Sequence, residues 1–121
     1  MIRDPMPALL RNQAMLRRSR FLELRFGVGV GDELYAISIS ADAVRVDSAG
    51  SRDGMAFTIE ASPQAWTEYA RDLPAPGFND VVAMAESGNG EIRGDDLLPF
   101  FANSLLVKGV VAAMFRGDAS W

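Results

Sequence analysis

Hydrophobic residues alternate with polar or small residues through much of the chain. In residues 21–30, every second position from Leu22 onwards is apolar, and residues 34–40 repeat the pattern with Tyr35, Ile37 and Ile39. A period of two places the apolar side chains on one face of a strand. Residues 44–47, 55–60 and 91–93 are shorter stretches of the same kind. Read in order, these stretches predict an antiparallel five-stranded sheet.

Four other stretches are predicted to be helices: residues 5–18, 62–73, 79–86 and 97–115. Ser62 is a favoured N-cap, and Pro63 suits the first position of a helix. The chain is therefore predicted to be a single α+β domain over residues 1–121. Its sheet carries an N-terminal basic helix within residues 1–20, two mid-chain helices and a long apolar C-terminal helix. Residues 116–121 are expected to form a loose tail.

The closing helix, residues 97–115, has no polar face. Only Asn103, Ser104 and Lys108 interrupt its apolar surface. A helix that is apolar all round is buried on more than one side, and a small chain has little material to cover both sides. The cover could be a bound apolar ligand, a second subunit that contacts Val107 and Val111, another domain or a membrane surface. An ordinary core helix is the simpler interpretation, and Lys108 near the centre argues against a membrane span.

Composition limits the chemistry of the chain. Its 121 residues include no Cys and no His, which removes the thiol nucleophile, the commonest general base and the commonest metal ligand. The sequence therefore predicts a protein that is not an enzyme, with no metal site and no catalytic residue. The stretch from residue 27 to 31, Gly-Val-Gly-Val-Gly, precedes a strand instead of a helix, so it does not match a dinucleotide-binding loop. Asp95 and Asp96 are interpreted as helix-capping residues, with a metal or acid–base pair as the alternative.

Charge is distributed unevenly along the sequence. Residues 1–20 contain five arginines and one aspartate, a net charge of +4, whereas residues 21–121 carry a net charge of −8. An acidic body does not favour nucleic acid. The arginines of the first helix suit the C-terminal end of its dipole; alternatively, the helix could make transient contact with an anionic membrane surface. No signal peptide is apparent, so a cytoplasmic location is expected.

Two segments resemble a known family. In residues 56–63, Ala-Phe-Thr-Ile-Glu-Ala-Ser-Pro, a predicted strand runs into a helix that begins with Ser62 and carries Trp66. In residues 90–95, Gly-Glu-Ile-Arg-Gly-Asp, a short strand ends in Gly-Asp before an apolar terminal helix. In these segments and in the order of its elements, the chain resembles the sterol carrier protein 2-like (SCP2-like) domains.

The resemblance implies a five-stranded antiparallel sheet with helices, an apolar tunnel for a lipid, sterol or fatty acyl chain, and no catalysis or cofactor. The candidate lining residues share apolar character and positions on the predicted helices or beside them. They are Trp66, Phe78, Met84, Phe101, Leu105, Val110 and Met114. The alternative is an interaction module that forms a homodimer or binds a partner enzyme and needs no small ligand.

Overall fold

A computed structural model describes residues 2–41 and 43–119 of the chain. Within these residues the chain forms an α+β domain in which helices cover one face of a five-stranded sheet. The helices and strands are α1 (Met6–Leu10), α2 (Gln13–Arg17), β1 (Glu23–Val30), β2 (Glu33–Ser40), β3 (Ala43–Ser48), β4 (Thr58–Ala61), α3 (Pro63–Tyr69), α4 (Val81–Glu86), β5 (Glu91–Arg93), α5 (Leu98–Ala102) and α6 (Ser104–Arg116).

The sheet is mixed, with the strand order β3-β2-β1-β4-β5. The β1–β2, β2–β3 and β4–β5 pairs are antiparallel, as predicted, but β1 and β4 are parallel. The prediction of a wholly antiparallel sheet is therefore wrong at this pair. The reason is the connection over residues 49–57, which starts beside β2, where Ala49 N donates to Leu34 O, and ends beside β1, where Ala56 N donates to Arg25 O.

Two glycines of β1 leave room on one face of the sheet for side chains of this connection and of β4. A Cβ atom on Gly27 would lie 2.6 Å from the sulfur of Met55, and one on Gly29 would lie 2.9 Å from Cγ of Glu60. Both distances are shorter than an ordinary van der Waals contact, so a larger side chain would push these neighbours away. The glycine-rich stretch therefore serves strand packing.

The other sheet face carries the hydrophobic core. Phe26, Val28, Ile37, Ile39 and Ile59 are all buried there. Helix α3 packs on this face through Trp66, whose indole Nε1 donates to Gly29 O at 2.8 Å. Ser62 caps α3 as predicted, because its side chain accepts from Ala65 N. The helix ends at Tyr69, earlier than the predicted residue 73.

The predicted closing helix is divided into two. Asn103, with φ −120° and ψ 22°, leaves the helical conformation between α5 and α6. Val107 and Val111 in α6 are fully buried within the protomer. The prediction that they offer an interface to a second subunit is therefore wrong for this structure, because their side chains are already covered by the chain itself.

The cover on the outer side of α6 comes from the N-terminal residues. The side chain of Met15 lies against Gly109, where an added Cβ would be 2.9 Å from its terminal methyl. Arg3 N donates to Met114 O at 3.0 Å, and Arg11 donates to Gly117 O at 3.1 Å. The N-terminal region forms two short helices, α1 and α2, instead of the single predicted helix.

Arg116 is the last residue of α6, although the sequence predicted that it belongs to a loose tail. It joins α6 to the end of α3 and to the loop before α4. Its guanidinium donates to the carbonyl oxygens of Tyr69, Phe78 and Asn79, and its Cζ lies 3.9 Å from the centroid of the Tyr69 ring. Ala119 is also buried. The last two residues of the predicted tail, 120 and 121, lie outside the described part of the chain, as do residues 1 and 42.

Replacing Arg116 by alanine should lower the free energy of unfolding by about 2–3 kcal/mol, because three carbonyl groups lose a charged donor. Arg116→Lys should recover only part of this loss, since an ammonium group does not reproduce the planar fork of the guanidinium. Urea denaturation measures both effects. Arg71→Ala is the control, because that side chain is 66% exposed in a surface ion pair; equal losses for the two alanine variants would contradict the role given to Arg116.

Candidate apolar ligand site

Three apolar side chains remain exposed where α5 meets α6. Leu98 is 65% exposed, Phe101 62% and Leu105 38%. Their spacing of three and then four residues places them along one side of successive helical turns, although Asn103 interrupts the helix between them. We call these three residues the exposed apolar stripe. It is a candidate surface for an apolar ligand or a protein partner.

The start of α5 is fixed by local chemistry. Asp96 Oδ1 accepts a hydrogen bond from Leu98 N at 2.9 Å. The N-cap residue of α5 is Leu97, which makes no side-chain capping bond, so neither Asp95 nor Asp96 is the N-cap residue that the sequence predicted. Pro99 occupies the first turn, where its missing N–H costs little. At the other end, Asn103 Nδ2 donates to Pro99 O at 2.9 Å. Within residues 2–41 and 43–119, no group of three or more His, Cys, Asp or Glu side chains is placed to hold a metal ion.

An aromatic cluster lies between α5 and the sheet. Phe26 and Phe57 stack with ring centroids 5.0 Å apart, and Phe100 meets Phe57 edge-on at 5.4 Å. Phe101 in turn meets Phe100 edge-on at 5.2 Å. The exposed stripe is therefore connected to the core through rings in contact, and Phe100 fills the space beneath α5.

The seven predicted lining residues do not surround one common space in this structure. Trp66, Met84, Val110 and Met114 are buried, whereas Phe101 and Leu105 belong to the exposed stripe. Trp66 stacks on Phe115 with centroids 4.2 Å apart, so its ring is occupied by core packing. Phe78 is partly buried and lines a groove between α3 and the turn before β5. A ligand-lining role for these residues stays a prediction.

Two open grooves border β5. One has a volume of about 780 Å³, lies beside the start of α5, and is lined by Arg52, Phe57, Arg93 and Pro99 among others. The second has a volume of about 800 Å³ and lies between α3 and the turn before β5, with Phe78 in its wall. The contribution of Arg52 was not predicted, because residues 48–54, Ser-Ala-Gly-Ser-Arg-Asp-Gly, match neither a strand nor a helix pattern.

The first groove is polar on one side because Arg52 and Arg93 line it, and both cations face Glu60, a carboxylate that lines the second groove. Glu60 accepts from Arg52 Nε at 2.9 Å and from Arg52 Nη2 at 2.6 Å, with Arg93 Nη1 3.8 Å away. Thr58 Oγ1 donates to Glu60 Oε2 at 2.5 Å. Hydrogen bonding from Arg52 is the main cause that lowers the pKa of Glu60 to about 2, against the opposing effect of partial burial. A carboxylate held ionised in this way is a structural ion-pair partner and a poor proton donor.

Comparison with known proteins supports a fold assignment. No family model and no curated protein matches the chain. Among solved structures, the ubiquinone synthesis protein UbiJ-SCP2 is 17% identical with a TM-score of 0.50, covering 92% of this chain and 95% of that one. A conserved hypothetical protein from Thermus thermophilus, a sterol carrier candidate, is 16% identical with a TM-score of 0.53, covering 92% and 80% respectively. The chain has an SCP2-like fold.

A further match is to the stereoselective inverting sec-alkylsulfatase Pisa1 from Pseudomonas sp. It is 14% identical with a TM-score of 0.49, and it covers 72% of this chain but only 14% of that one. The similarity to Pisa1 is too small to support an argument. The SCP2-like fold agrees with the family resemblance seen in the sequence. The sheet, however, is mixed and not wholly antiparallel as expected.

Acid should remove the stabilisation that depends on ionised Glu60. Because the folded pKa is lowered to about 2, the contribution is complete above the unfolded pKa of about 4.3 and is lost as the pH falls through 2. Glu60→Gln should lower the free energy of unfolding by about 1–2 kcal/mol at pH 7, after allowance for solvent screening. This difference should shrink to near zero by pH 2.

Urea denaturation between pH 7 and pH 2 measures the effect. Asp53→Asn is the control, since Asp53 is exposed in the same connection and its side chain has no ion pair among the described residues; this variant should keep the acid dependence of the original protein. A Glu60→Gln difference that stays constant across the pH range would show that the charge of Glu60 is not its source.

Proposed function

We propose that this SCP2-like domain is a non-catalytic binding protein for an apolar molecule, such as a lipid, a sterol or a fatty acyl chain. The observation that carries the proposal is the exposed apolar stripe of Leu98, Phe101 and Leu105, which is joined to the core by the aromatic cluster. The names of the two solved structures refer to ubiquinone synthesis and to sterol carriage, and ubiquinone and sterols are both largely apolar.

The ligand would enter beneath α5. In the structure, that space is filled by Phe100, so binding requires α5 to move about Asn103, where the helix is already interrupted. Exposing one buried Phe costs about 1.5–3 kcal/mol. A ligand with a long hydrocarbon chain can offset this cost, because each CH₂ group that it buries contributes about 0.8 kcal/mol.

The residues predicted to line the ligand site enter the proposal in three groups. Phe101 and Leu105 make the first contact with the ligand because they are accessible. Met114, Val110, Met84 and Trp66 lie deeper and would be reached only if the core opened further, and Phe78 would contribute through the second groove. A partner enzyme that acts on the same apolar molecule is compatible with this role, because a binding protein alone changes no bond.

Replacing Phe101 by aspartate should weaken uptake of a fluorescent fatty acid by about tenfold or more, because one exposed aromatic contact is lost and a charge must be desolvated. Titration of the probe in vesicle-free solution measures the effect. Leu73→Asp is the matched control, since Leu73 is 89% exposed outside the stripe. Unchanged uptake by a folded Phe101→Asp variant would place the site elsewhere.

The interaction module is the alternative, because an exposed apolar stripe also suits a second copy of the chain. Native mass spectrometry separates the two functions. Extra mass that is lost under denaturing conditions and recovered as a lipid would support apolar ligand binding. A dimer without extra mass that becomes monomeric in the Phe101→Asp variant would favour the interaction module instead.

A further inference from the structure

Strand β3 is an open edge of the sheet. Among the described residues it pairs with β2 alone, in a continuous antiparallel register from Ser40 opposite Ala43 to Tyr35 opposite Ser48. The strand at the other edge, β5, has only three residues. Proteins commonly protect an edge strand with proline, lysine or a bulge, and β3, Ala-Val-Arg-Val-Asp-Ser, has none of these. The edge is therefore accessible to another strand.

The outward backbone groups of β3 follow from the alternation of an antiparallel pair. Because Ala49 N donates to Leu34 O, every second residue back along β3 is hydrogen-bonded to β2. The N–H and C=O groups that point away from the sheet are those of Val44, Val46 and Ser48. Val44 N agrees with this direction, since it donates to Met6 Sδ at 3.4 Å. A thioether sulfur is a weak acceptor, so a carbonyl oxygen of a partner strand would replace it.

The two charged side chains of β3 have opposite signs and share one face of the sheet. Arg45 and Asp47 are two residues apart, both are exposed, and Arg45 Nη2 lies 3.2 Å from Asp47 Oδ2. An exposed ion pair of this kind is weakly held, so either group can turn to a partner. Two antiparallel copies of β3 around a twofold axis through Val46 would place Arg45 directly opposite the partner's Asp47, and Asp47 opposite the partner's Arg45.

The charges select this register over the neighbouring ones. An axis through Arg45 would place two guanidinium groups opposite each other, and an axis through Asp47 would do the same with two carboxylates. Like charges directly opposite each other destabilise a strand pair, whereas opposite charges stabilise it. An axis further along β3 would pair fewer of its residues. This self-complementarity favours a second copy of the chain over an unrelated extended peptide.

The core side of the same edge offers an apolar contact. A groove of about 540 Å³ lies between β3 and the N-terminal segment, with Ile2, Met6, Val44 and Val46 in its wall. Val46 is only partly buried there. In the selected register it faces the partner's Val46, and pairs of β-branched residues suit neighbouring strands. The groove gives the partner's side chain room on this side.

We propose that β3 pairs with β3 of a second copy of this chain, around a twofold axis through Val46, so that the sheet continues from one protomer into the next. Val46 exchanges hydrogen bonds with the partner's Val46, and Val44 with the partner's Ser48. One short strand from each protomer buries less surface than a standard interface, so we expect a dissociation constant of about 10–100 µM. The dimer does not use the exposed apolar stripe and does not rest on the proposed function.

Sedimentation velocity between about 5 and 500 µM protein tests the dimer. Arg45→Asp should weaken dimerisation by about tenfold or more, because carboxylates then face each other on both sides of the axis. Asp47→Arg should have the same effect, since guanidinium groups then face each other. An equimolar mixture of the two variants should recover dimerisation to within about threefold of the original protein, because each position again joins opposite charges.

Three further variants serve as controls. Arg71→Asp makes the same change in net charge as Arg45→Asp at another exposed, ion-paired arginine, and should dimerise within about threefold of the original protein. Val46→Pro removes the outward N–H without breaking a bond to β2, and should weaken dimerisation by about tenfold or more. Val46→Ala keeps this N–H and should lose several-fold less. Circular dichroism checks that each variant keeps its fold.

Pairing through β3 is overturned if the unaltered protein stays monomeric up to about 500 µM, or if Arg45→Asp weakens dimerisation no more than Arg71→Asp. A mixture of Arg45→Asp and Asp47→Arg that stays monomeric would overturn the register. Phe101→Asp should remain dimeric, and a monomer would assign the interface to the exposed apolar stripe instead. Fatty acid uptake by Arg45→Asp should be unchanged, so loss of the dimer and loss of the ligand site are separate results.

Discussion

The burial of α6 between the sheet and the N-terminal helices is the constraint on which the rest of the structure depends. On its inner side, Phe115 stacks on Trp66, which fixes α3 against the sheet. On its outer side, Met15 packs over Gly109, which fixes α2. Fully burying a Val or Met side chain contributes about 1.5–3 kcal/mol, so α6 alone accounts for a large part of the apolar burial. The placement of the other helices follows from contacts with it.

This cover is uneven along the closing segment, and the unevenness positions the candidate site. The N-terminal residues meet the C-terminal part of α6 near Met114 and Gly117, pass Gly109, and then turn towards β1. Phe101 in α5 remains mostly exposed. The same turn brings Phe21 and its neighbouring arginines to the surface.

The sequence predicted the strands well because their signal is local. Alternation of apolar residues located β1 and β2 within two residues of their ends and β5 at its observed ends. Strand pairing is not local, and nothing in the alternation distinguishes a meander from a crossover, so the parallel β1–β4 pair was missed. The division at Asn103 was missed for a related reason, since one polar residue in an apolar run changes little in the average character of a helix. The candidate site was likewise predictable only in part: Phe101 and Val110 look alike in the sequence, but residues far away in the chain bury Val110 and leave Phe101 open.

For the proposed binding of an apolar ligand, α5 and not α6 is the element whose displacement costs less free energy. Helix α5 buries Phe100, and displacing it costs on the order of the burial of one aromatic side chain. Displacing α6 would expose Val107, Val111 and Met114 together with others, at several times that cost. Domains of this size are stable by only about 5–15 kcal/mol, so opening at α6 would approach global unfolding. The free-energy cost of opening at α5 is small enough for the burial of a hydrocarbon chain to offset. The interruption at Asn103 would confine the movement to one short helix.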